Sequence, residues 1–286
     1  MSQWREAPIA LIGADGMLGR QWQRFFAEAP HARVASLTHP TIDFERDDTL
    51  RRVFDSSPRL VINCAAYTNV DQAESEPDKA DRINAAAVGT LASMCRERGV
   101  TLVHYSTDYV FDGRGTAPYS VDATTNPVNA YGRTKLRGEH LLQSSGCDHL
   151  LIRTSWLYAP WAKNFVRTIA AAARTKPELR VVNDQHGRPT STASLVEITA
   201  RLLDRDIRGT FHATDEGACT WFEFAVAIAA FANPGCRVMP CSTAEFPRPA
   251  PRPSYSVLDL SKTVAAIGSL RPWREALADV LPRLES

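Results

Sequence analysis

Through the first half of the chain, short apolar runs alternate with stretches in which apolar residues recur every three or four positions. The runs Ile9–Ile12, Val34–Leu37, Leu60–Cys64, Thr101–Tyr105 and Leu150–Arg153 are brief and rich in Val, Ile and Leu. Periodicity alone does not separate buried strands from buried helix fragments, but this length and composition predict strands. Helical patterns over 17–28, 48–56, 79–98 and 129–144 lie between them, and in the first of these Leu18, Trp22, Phe25 and Phe26 form one apolar stripe. Such alternation predicts right-handed β-α-β units and a parallel sheet covered by helices on both faces. The expected fold class is α/β, a Rossmann-like doubly wound sheet.

After Tyr158 the pattern loosens. A helix is predicted from Asn164 to Arg174, a short strand at Val181-Val182, and a polar loop over Asp184–Thr190. Ser194–Leu203 reads as a helix, Gly209–Ala213 as a strand returning to the sheet, and Trp221–Phe231 as a strongly apolar helix. Phe246–Pro253 carries prolines at 247, 249, 251 and 253, so it is neither helix nor central strand and reads as an ordered surface wrap or a ligand-side loop. The expected organisation is a main domain over 1–158, rejoined by about 190–215, with a smaller discontinuous C-terminal cap from 159–189 and 216–286.

Three local patterns carry chemistry. The run Ile9-Ala10-Leu11-Ile12 leads into Gly13-Ala14-Asp15-Gly16-Met17-Leu18-Gly19 and then into the first helical stripe. Strand, glycine-rich turn and helix in this order make a dinucleotide-binding opening, although the spacing is G-x-x-G-x-x-G and puts one residue more into the turn than G-x-G-x-x-G. Glycine allows the tight turn, close approach of backbone to a pyrophosphate, and close packing of helix on strand, while the first helical amides face the phosphates. Glycine turns also join strands to helices with no ligand, but the flanking strand and helix favour a nucleotide. The second pattern is Val103-His104-Tyr105-Ser106-Thr107-Asp108, an apolar strand running into hydroxyl and carboxylate groups where ligands gather in open α/β sheets. The third is Tyr131-Gly132-Arg133-Thr134-Lys135, with a phenol and an ammonium four apart on one helix face. A neighbouring cation lowers a phenol's pKa from its usual ~10 and makes it a usable proton donor or acceptor. Taken alone this pair fits a solvated helix face; the glycine turn and the Thr107 strand end shift the reading to a catalytic site.

Composition narrows the partners. Lys plus Arg total 33 against 32 for Asp plus Glu, so net charge makes no case for nucleic acid or an anionic membrane. Hydrophobic content is 44%, and no apolar run approaches the ~20 residues that cross a bilayer. The start, Met1-Ser2-Gln3-Trp4-Arg5-Glu6, lacks the apolar core of a signal peptide. The six cysteines show no metal-type spacing and read as reduced, mostly buried thiols, so a cytoplasmic location is expected.

Over nearly its whole length the chain resembles the extended short-chain dehydrogenase/reductases, and among them the dTDP-4-dehydrorhamnose reductases. The matching blocks are Gly13–Gly19, Val61–Asp71, Ser106–Gly113, Tyr131–Lys135, Arg153–Tyr158, Asn164–Val166, Asp184–Thr190 and Ala250–Pro253. The resemblance implies reduction of the 4-keto group of a dTDP-6-deoxy-L-hexulose to dTDP-L-rhamnose. It implies that Tyr131 protonates the developing alkoxide, Lys135 binds the nicotinamide ribose and biases Tyr131, and Thr107 hydrogen-bonds the reacting oxygen. Gly13 and Gly19 would shape the nucleotide turn, Gly16, Met17 and Leu18 would meet the pyrophosphate, Asp43 and Phe44 the adenine end, and Ala66, Tyr67 and Thr68 the inner side of the cofactor. Asp108 and Trp156 would contact the sugar nucleotide, although a tryptophan at a strand end also fits a core aromatic.

Two departures matter. The second strand ends Ser36-Leu37-Thr38-His39, where NADH-preferring relatives carry an acidic residue for the ribose 2′-hydroxyl. The cofactor is therefore NADPH or NADH, with NADPH favoured and Arg20 placed to attract a 2′-phosphate. Some relatives hold magnesium between subunits with glutamates, but the first such position is Gln21, so no metal is expected and a homodimer is left open. Two rival readings share the resemblance: another dTDP-sugar 4-ketoreductase, giving 6-deoxy-L-talose or dihydrostreptose, and a non-catalytic NADP-binding subunit like the beta subunit of methionine adenosyltransferase.

Overall fold

The computed structural model describes residues 3–29 and 31–284, so Met1 and Ser2 of the leader reading fall outside it. Six parallel strands form the central sheet: β1 (Pro8–Ile12), β2 (Arg33–Leu37), β3 (Leu60–Asn63), β4 (Thr101–Thr107), β5 (His149–Thr154) and β6 (Gly209–His212). Their order across the sheet is β6-β5-β4-β3-β1-β2. The chain steps from β1 outward to β2 and then back past β1 to β3, so the direction of winding reverses between β1 and β3. At such a switch point the loops leaving the strands part and open a crevice at their carboxyl ends. Beyond β2, residues 38–46 run as turns and bends, which fold Asp43 and Phe44 back toward that crevice.

In β1, β3, β4 and β5 alternate residues bury on opposite faces, as a doubly covered sheet requires. Ile9, Leu11, Leu60, Ile62, Val103, Tyr105, Leu150 and Ile152 pack on one face with the helices Met17–Ala27 and Thr192–Asp204. Ala10, Ile12, Val61, Leu102 and Leu151 pack on the other with the helix Ala87–Arg98. A separate apolar cluster gathers Tyr158, Val166, Ile169, Cys219, Phe224, Ile228, Trp273 and Leu277, whereas Leu260, Ile267 and Leu270 pack with the first face of the sheet. Around that separate cluster three short strand pairs form: Glu178–Val182 with Arg237–Cys241, Leu157–Tyr158 with Thr190–Ser191, and His186–Gly187 with Cys219–Thr220.

Most predicted elements appear within two residues of their expected ends. The strand expected to stop at Tyr105 continues to Thr107. The helix expected over 48–56 is one α-helical turn, Asp47–Leu50, followed by a 3₁₀ turn, Arg51–Phe54. The loop Asp184–Thr190 contributes to two of the short strand pairs, because its backbone finds partners in distant segments that local sequence does not reveal. The proline-rich stretch is an ordered wrap: the Asn129 side chain donates to the Pro251 carbonyl at 2.9 Å, and Arg252 pairs with Asp71 at 2.9 Å. Five of the six cysteines are buried thiols and Cys64 is half-buried. Among the described residues no helix is long and apolar enough to cross a membrane.

Candidate active site

The crevice at the switch point is a cleft of about 780 Å³ lined by the ends of β1, β3, β4 and β5, by the catalytic-candidate helix Ala130–Ser144 and by residues of the later segments. Its floor at the β1 end is the glycine turn. Gly13 has φ +71°, and a β-carbon there would sit 2.9 Å from the Ala65 nitrogen. A β-carbon on Gly19 would strike the Gly13 carbonyl and lie 2.7 Å from the Ala14 α-carbon, so this glycine sets how closely helix packs on turn. No side chain caps the helix that begins at Met17, since its N-cap is Gly16. The first amides of a helix lack partners within it, so those of Met17 to Gly19 suit an anionic phosphate. A backbone cradle that any β-carbon would fill, next to an uncapped helix start, fits a dinucleotide. Gly19→Ala should therefore weaken NAD(P)H binding and lower stability together, by a few kcal/mol. Cofactor titration and thermal unfolding of one variant check both, and a variant with wild-type values for both would separate Gly19 from the cradle.

Gly13, Gly16, Met17, Leu18, Asp43, Phe44, Ala66, Thr68, Thr107, Asp108, Tyr131, Lys135 and Trp156 all line the cleft, whereas Gly19 and Tyr67 do not. Gly19 lies behind the turn. Tyr67 turns its hydroxyl away to donate to Glu76 at 2.9 Å, and its backbone holds the 66–68 loop in place. Arg20, expected near a 2′-phosphate, instead lies over the Trp161 ring, 5.0 Å from its centroid, and is not part of the lining. The polar residues that line the cleft from the segment beyond β2 are His39, Asp43 and Glu45.

At the centre of the cleft, Thr107 ends β4 and its hydroxyl donates to Asp108 Oδ1 at 2.9 Å while accepting from the Tyr109 amide. Tyr131 follows from Asn129, whose side chain caps the helix by accepting from the Gly132 amide at 2.8 Å. A β-carbon on Gly132 would strike the Tyr109 carbonyl, so glycine there lets the start of this helix close onto the end of β4. Burial raises the Tyr131 phenol to about 12, with a Thr107 hydrogen bond acting against it and the Asp108 charge adding to it. This corrects the expectation that Lys135 lowers the phenol. The Lys135 ammonium is directed beneath the strand, donating to the Tyr105 carbonyl at 2.6 Å and lying 3.4 Å from His104 Nε2. Burial lowers Lys135 itself to about 8, opposed by Glu139 one turn further along the helix. Glu139 is in turn held by Arg153 of β5 in a buried pair with contacts of 2.7 to 3.1 Å. Asp108 is raised to about 7 by burial, against the hydrogen bond that Thr107 donates to it. Ser106 Oγ, Asp108 Oδ2 and Thr154 Oγ1 are buried with no protein partner, and all three residues line the cleft. Buried polar atoms are rarely left unpaired, so this part of the cleft is suited to a polar ligand.

Residues 7–286 match the RmlD substrate binding domain family. Similar curated proteins include a dTDP-4-dehydrorhamnose reductase of Mycolicibacterium smegmatis, 42% identical over 96% of this chain and 84% of that one. The chain belongs to the dTDP-4-dehydrorhamnose reductase family. It is also similar to a probable dTDP-4,6-dihydroxy-2-methyloxan-3-one 4-ketoreductase of Streptomyces antibioticus, 41% identical over 95% of this chain and 94% of its relative. Among solved structures, a dTDP-4-dehydrorhamnose reductase of Bacillus anthracis in complex with NADP superposes with a TM-score of 0.93 at 34% identity, covering 97% of this chain and 99% of that one.

In this member of the reductase family, sequence reasoning missed three residues of the site. Asn84 sits in a π-helical turn, Arg82–Ala86, and its amide accepts from the Tyr67 nitrogen at 2.9 Å and donates to the Tyr67 carbonyl at 3.0 Å. It thereby fixes the loop between Ala66 and Thr68, and it reaches the catalytic-candidate helix through Thr134 at 3.2 Å. A buried Asn inside a helical pattern was the available signal. His104 lies under Lys135, and its pKa is driven well below the usual value by burial and then by the Lys135 charge. Trp221 lines the cleft from the first turn of the helix Trp221–Ala232, a position that looked merely apolar in sequence. Its indole stacks on Trp156 with centroids 3.6 Å apart and planes 11° from parallel. Trp156 itself has φ +47°, a left-handed conformation that costs a non-glycine residue roughly 1–2 kcal/mol.

Proposed function

We propose that this chain reduces the 4-keto group of dTDP-4-dehydro-6-deoxy-L-mannose, giving dTDP-L-rhamnose with NADPH or NADH as reductant. Full-length similarity to dTDP-4-dehydrorhamnose reductases supports the reaction. The observation that carries the assignment of roles is the convergence of Thr107, Tyr131 and Lys135 on one cleft beside an uncapped glycine turn. When bound, the dinucleotide supplies a hydride to the carbonyl carbon. Tyr131 is neutral over the working pH range and donates its phenolic proton to the oxygen as charge develops there. Thr107 hydrogen-bonds the same oxygen and orients it toward Tyr131. Lys135, anchored on the Tyr105 carbonyl, holds the cofactor ribose, and Asp108 and Trp156 hold the sugar nucleotide. Gly16, Met17 and Leu18 meet the pyrophosphate, Asp43 and Phe44 the adenosine, and Ala66 and Thr68 the inner side. A coupled assay with the 4-keto sugar nucleotide and each reduced cofactor, with the product identified by NMR, tests this reading. An epimeric alcohol at C4 would instead favour another dTDP-sugar 4-ketoreductase, the second reading that the Streptomyces antibioticus relative keeps in view.

The Lys135 assignment predicts a pH dependence. Its pKa is depressed, so the side chain is an ammonium below about 8 and an amine above it. NAD(P)H affinity of the free enzyme should be full below that pH and fall as pH rises through it. Fluorescence titration one unit either side measures this; affinity that stays level across the range would remove Lys135 from the cofactor.

Cofactor preference turns on the residues beyond β2. The lack of a carboxylate at Ser36–His39 favours NADPH, whereas Asp43 and Glu45 at the same rim disfavour a 2′-phosphate. Of the cleft-lining residues beyond β2, His39, with its side chain 72% exposed, is nearest in sequence to the strand end. His39→Asp should move the ratio of kcat/KM values toward NADH by roughly tenfold to a hundredfold, the worth of one unfavourable charge contact of about 1–3 kcal/mol. Steady-state kinetics with both cofactors decide it, and an unaltered ratio would place the 2′-position elsewhere.

A further inference from the structure

We propose that Trp221 is a positioning residue for the sugar end of the cleft, holding the Trp156 indole as a preformed wall for the C–H face of the hexose. The inference rests on the function proposed above. Trp156 stands two residues beyond the end of β5, has a left-handed backbone and lines the cleft. A residue in that conformation persists only where its surroundings over-determine it. Two segments do so here, the helix start at Trp221 and the stretch 187–190. Trp221 covers one indole face at 3.6 Å centroid separation. Gly187 abuts the ring so closely that a β-carbon would lie 2.5 Å from Trp156 Cε2 and 2.7 Å from Nε1. The Trp156 carbonyl accepts from the Thr190 amide at 3.2 Å, and Ser155 Oγ donates to the Arg188 carbonyl at 2.7 Å.

The parts of this clamp are themselves tied together. Gly187 pairs with Cys219, and His186 with Thr220, in a two-residue antiparallel ladder that delivers Trp221 to the same spot. Trp221 then begins a helix fixed by a reciprocal cap between Thr220 and Glu223, and Phe165 braces its ring at 4.4 Å. Both indoles remain half-buried and both line the cleft that holds Thr107 and Tyr131. A rigid aromatic plane suits the apolar face of a deoxyhexose, and holding it in place beforehand removes ordering cost from binding.

The test compares wild type with Trp221→Ala, Trp221→Phe and Gly187→Ala. Stacked indoles give a paired positive and negative band in far-ultraviolet circular dichroism, which reports the stack in solution. Expected results are a couplet in wild type that Trp221→Ala loses, and a KM for the sugar nucleotide raised roughly tenfold or more in Trp221→Ala and Gly187→Ala. The KM for NADPH should be unchanged, Trp221→Phe should keep most of the wild-type KM, and dTDP, which lacks the sugar, should inhibit all variants equally. Should Trp221→Ala fail to fold, Gly187→Ala still displaces the Trp156 ring from the other side. A Trp221→Ala enzyme without the couplet but with wild-type KM overturns the proposal, as does dTDP inhibition that weakens in step with KM. A wild type that shows the couplet but does not reduce the 4-keto sugar nucleotide defeats the functional reading itself, and the proposal with it.

Discussion

Replacing Tyr131 with phenylalanine lowers kcat by on the order of 10²-fold or more, the usual worth of a positioned proton donor. Burial holds the phenol at about 12, so it carries its proton throughout the neutral range and is matched to the role of acid in a reduction. Loss of the hydroxyl leaves hydride transfer to generate an alkoxide that only Thr107 and water can meet. NAD(P)H affinity should change little, because Lys135 is held by the Tyr105 carbonyl and not by the phenol. Stability should also hold, since the Tyr131 ring keeps its edge-on contact with Tyr109 at 6.0 Å. Single-turnover rates and cofactor titration on the purified variant test this together. Near-normal turnover would end the assignment of Tyr131 as the acid, whereas a parallel loss of cofactor affinity would mean that the phenol also binds.

The contrast between Tyr131 and Lys135 shows where sequence reasoning reaches and where it stops. Helical spacing predicts that the two share a face, and both do line the cleft. What it does not reveal is the buried surroundings. The ammonium is committed to a strand carbonyl and to His104, so desolvation, not the neighbouring cation, governs the phenol. Strands β1, β3, β4 and β5 were legible because each carries a compact apolar run buried on both faces, and the glycine turn because its backbone demands are local. Gly13 and Gly19 need no knowledge of distant residues to be recognised. By contrast, Arg20 follows the third glycine in sequence yet is drawn onto Trp161 by an aromatic face from a segment more than a hundred residues away. Trp221 and Gly187 are legible only once a two-residue ladder has joined their segments. Long-range pairing of short polar segments leaves almost no periodic trace, which is why the later half of the chain was read less fully than the first.

Trp156→Ala separates binding from packing in that later half. If the indole packs against the sugar and covers roughly 100 Å² of it, the lost contact is about 2.5 kcal/mol, or close to a hundredfold in kcat/KM at ~25 cal/mol per Å². A fully buried tryptophan would instead cost ~3–5 kcal/mol of stability on truncation. Trp156 is half-buried and packs at the edge of its apolar cluster, so its share of the core is smaller. Truncation also leaves an alanine in a left-handed conformation, although the same strain is already present in the wild type and largely cancels in the difference. The expected outcome is a large rise in KM for the sugar nucleotide with a modest fall in melting temperature. Steady-state kinetics and thermal unfolding on the one variant distinguish the cases, because a core role moves the melting temperature and spares KM. A stability collapse with unaltered KM would return Trp156 to the core and leave Asp108 as the side chain holding the sugar, since its buried Oδ2 lacks any protein partner and its Oδ1 is already engaged by Thr107.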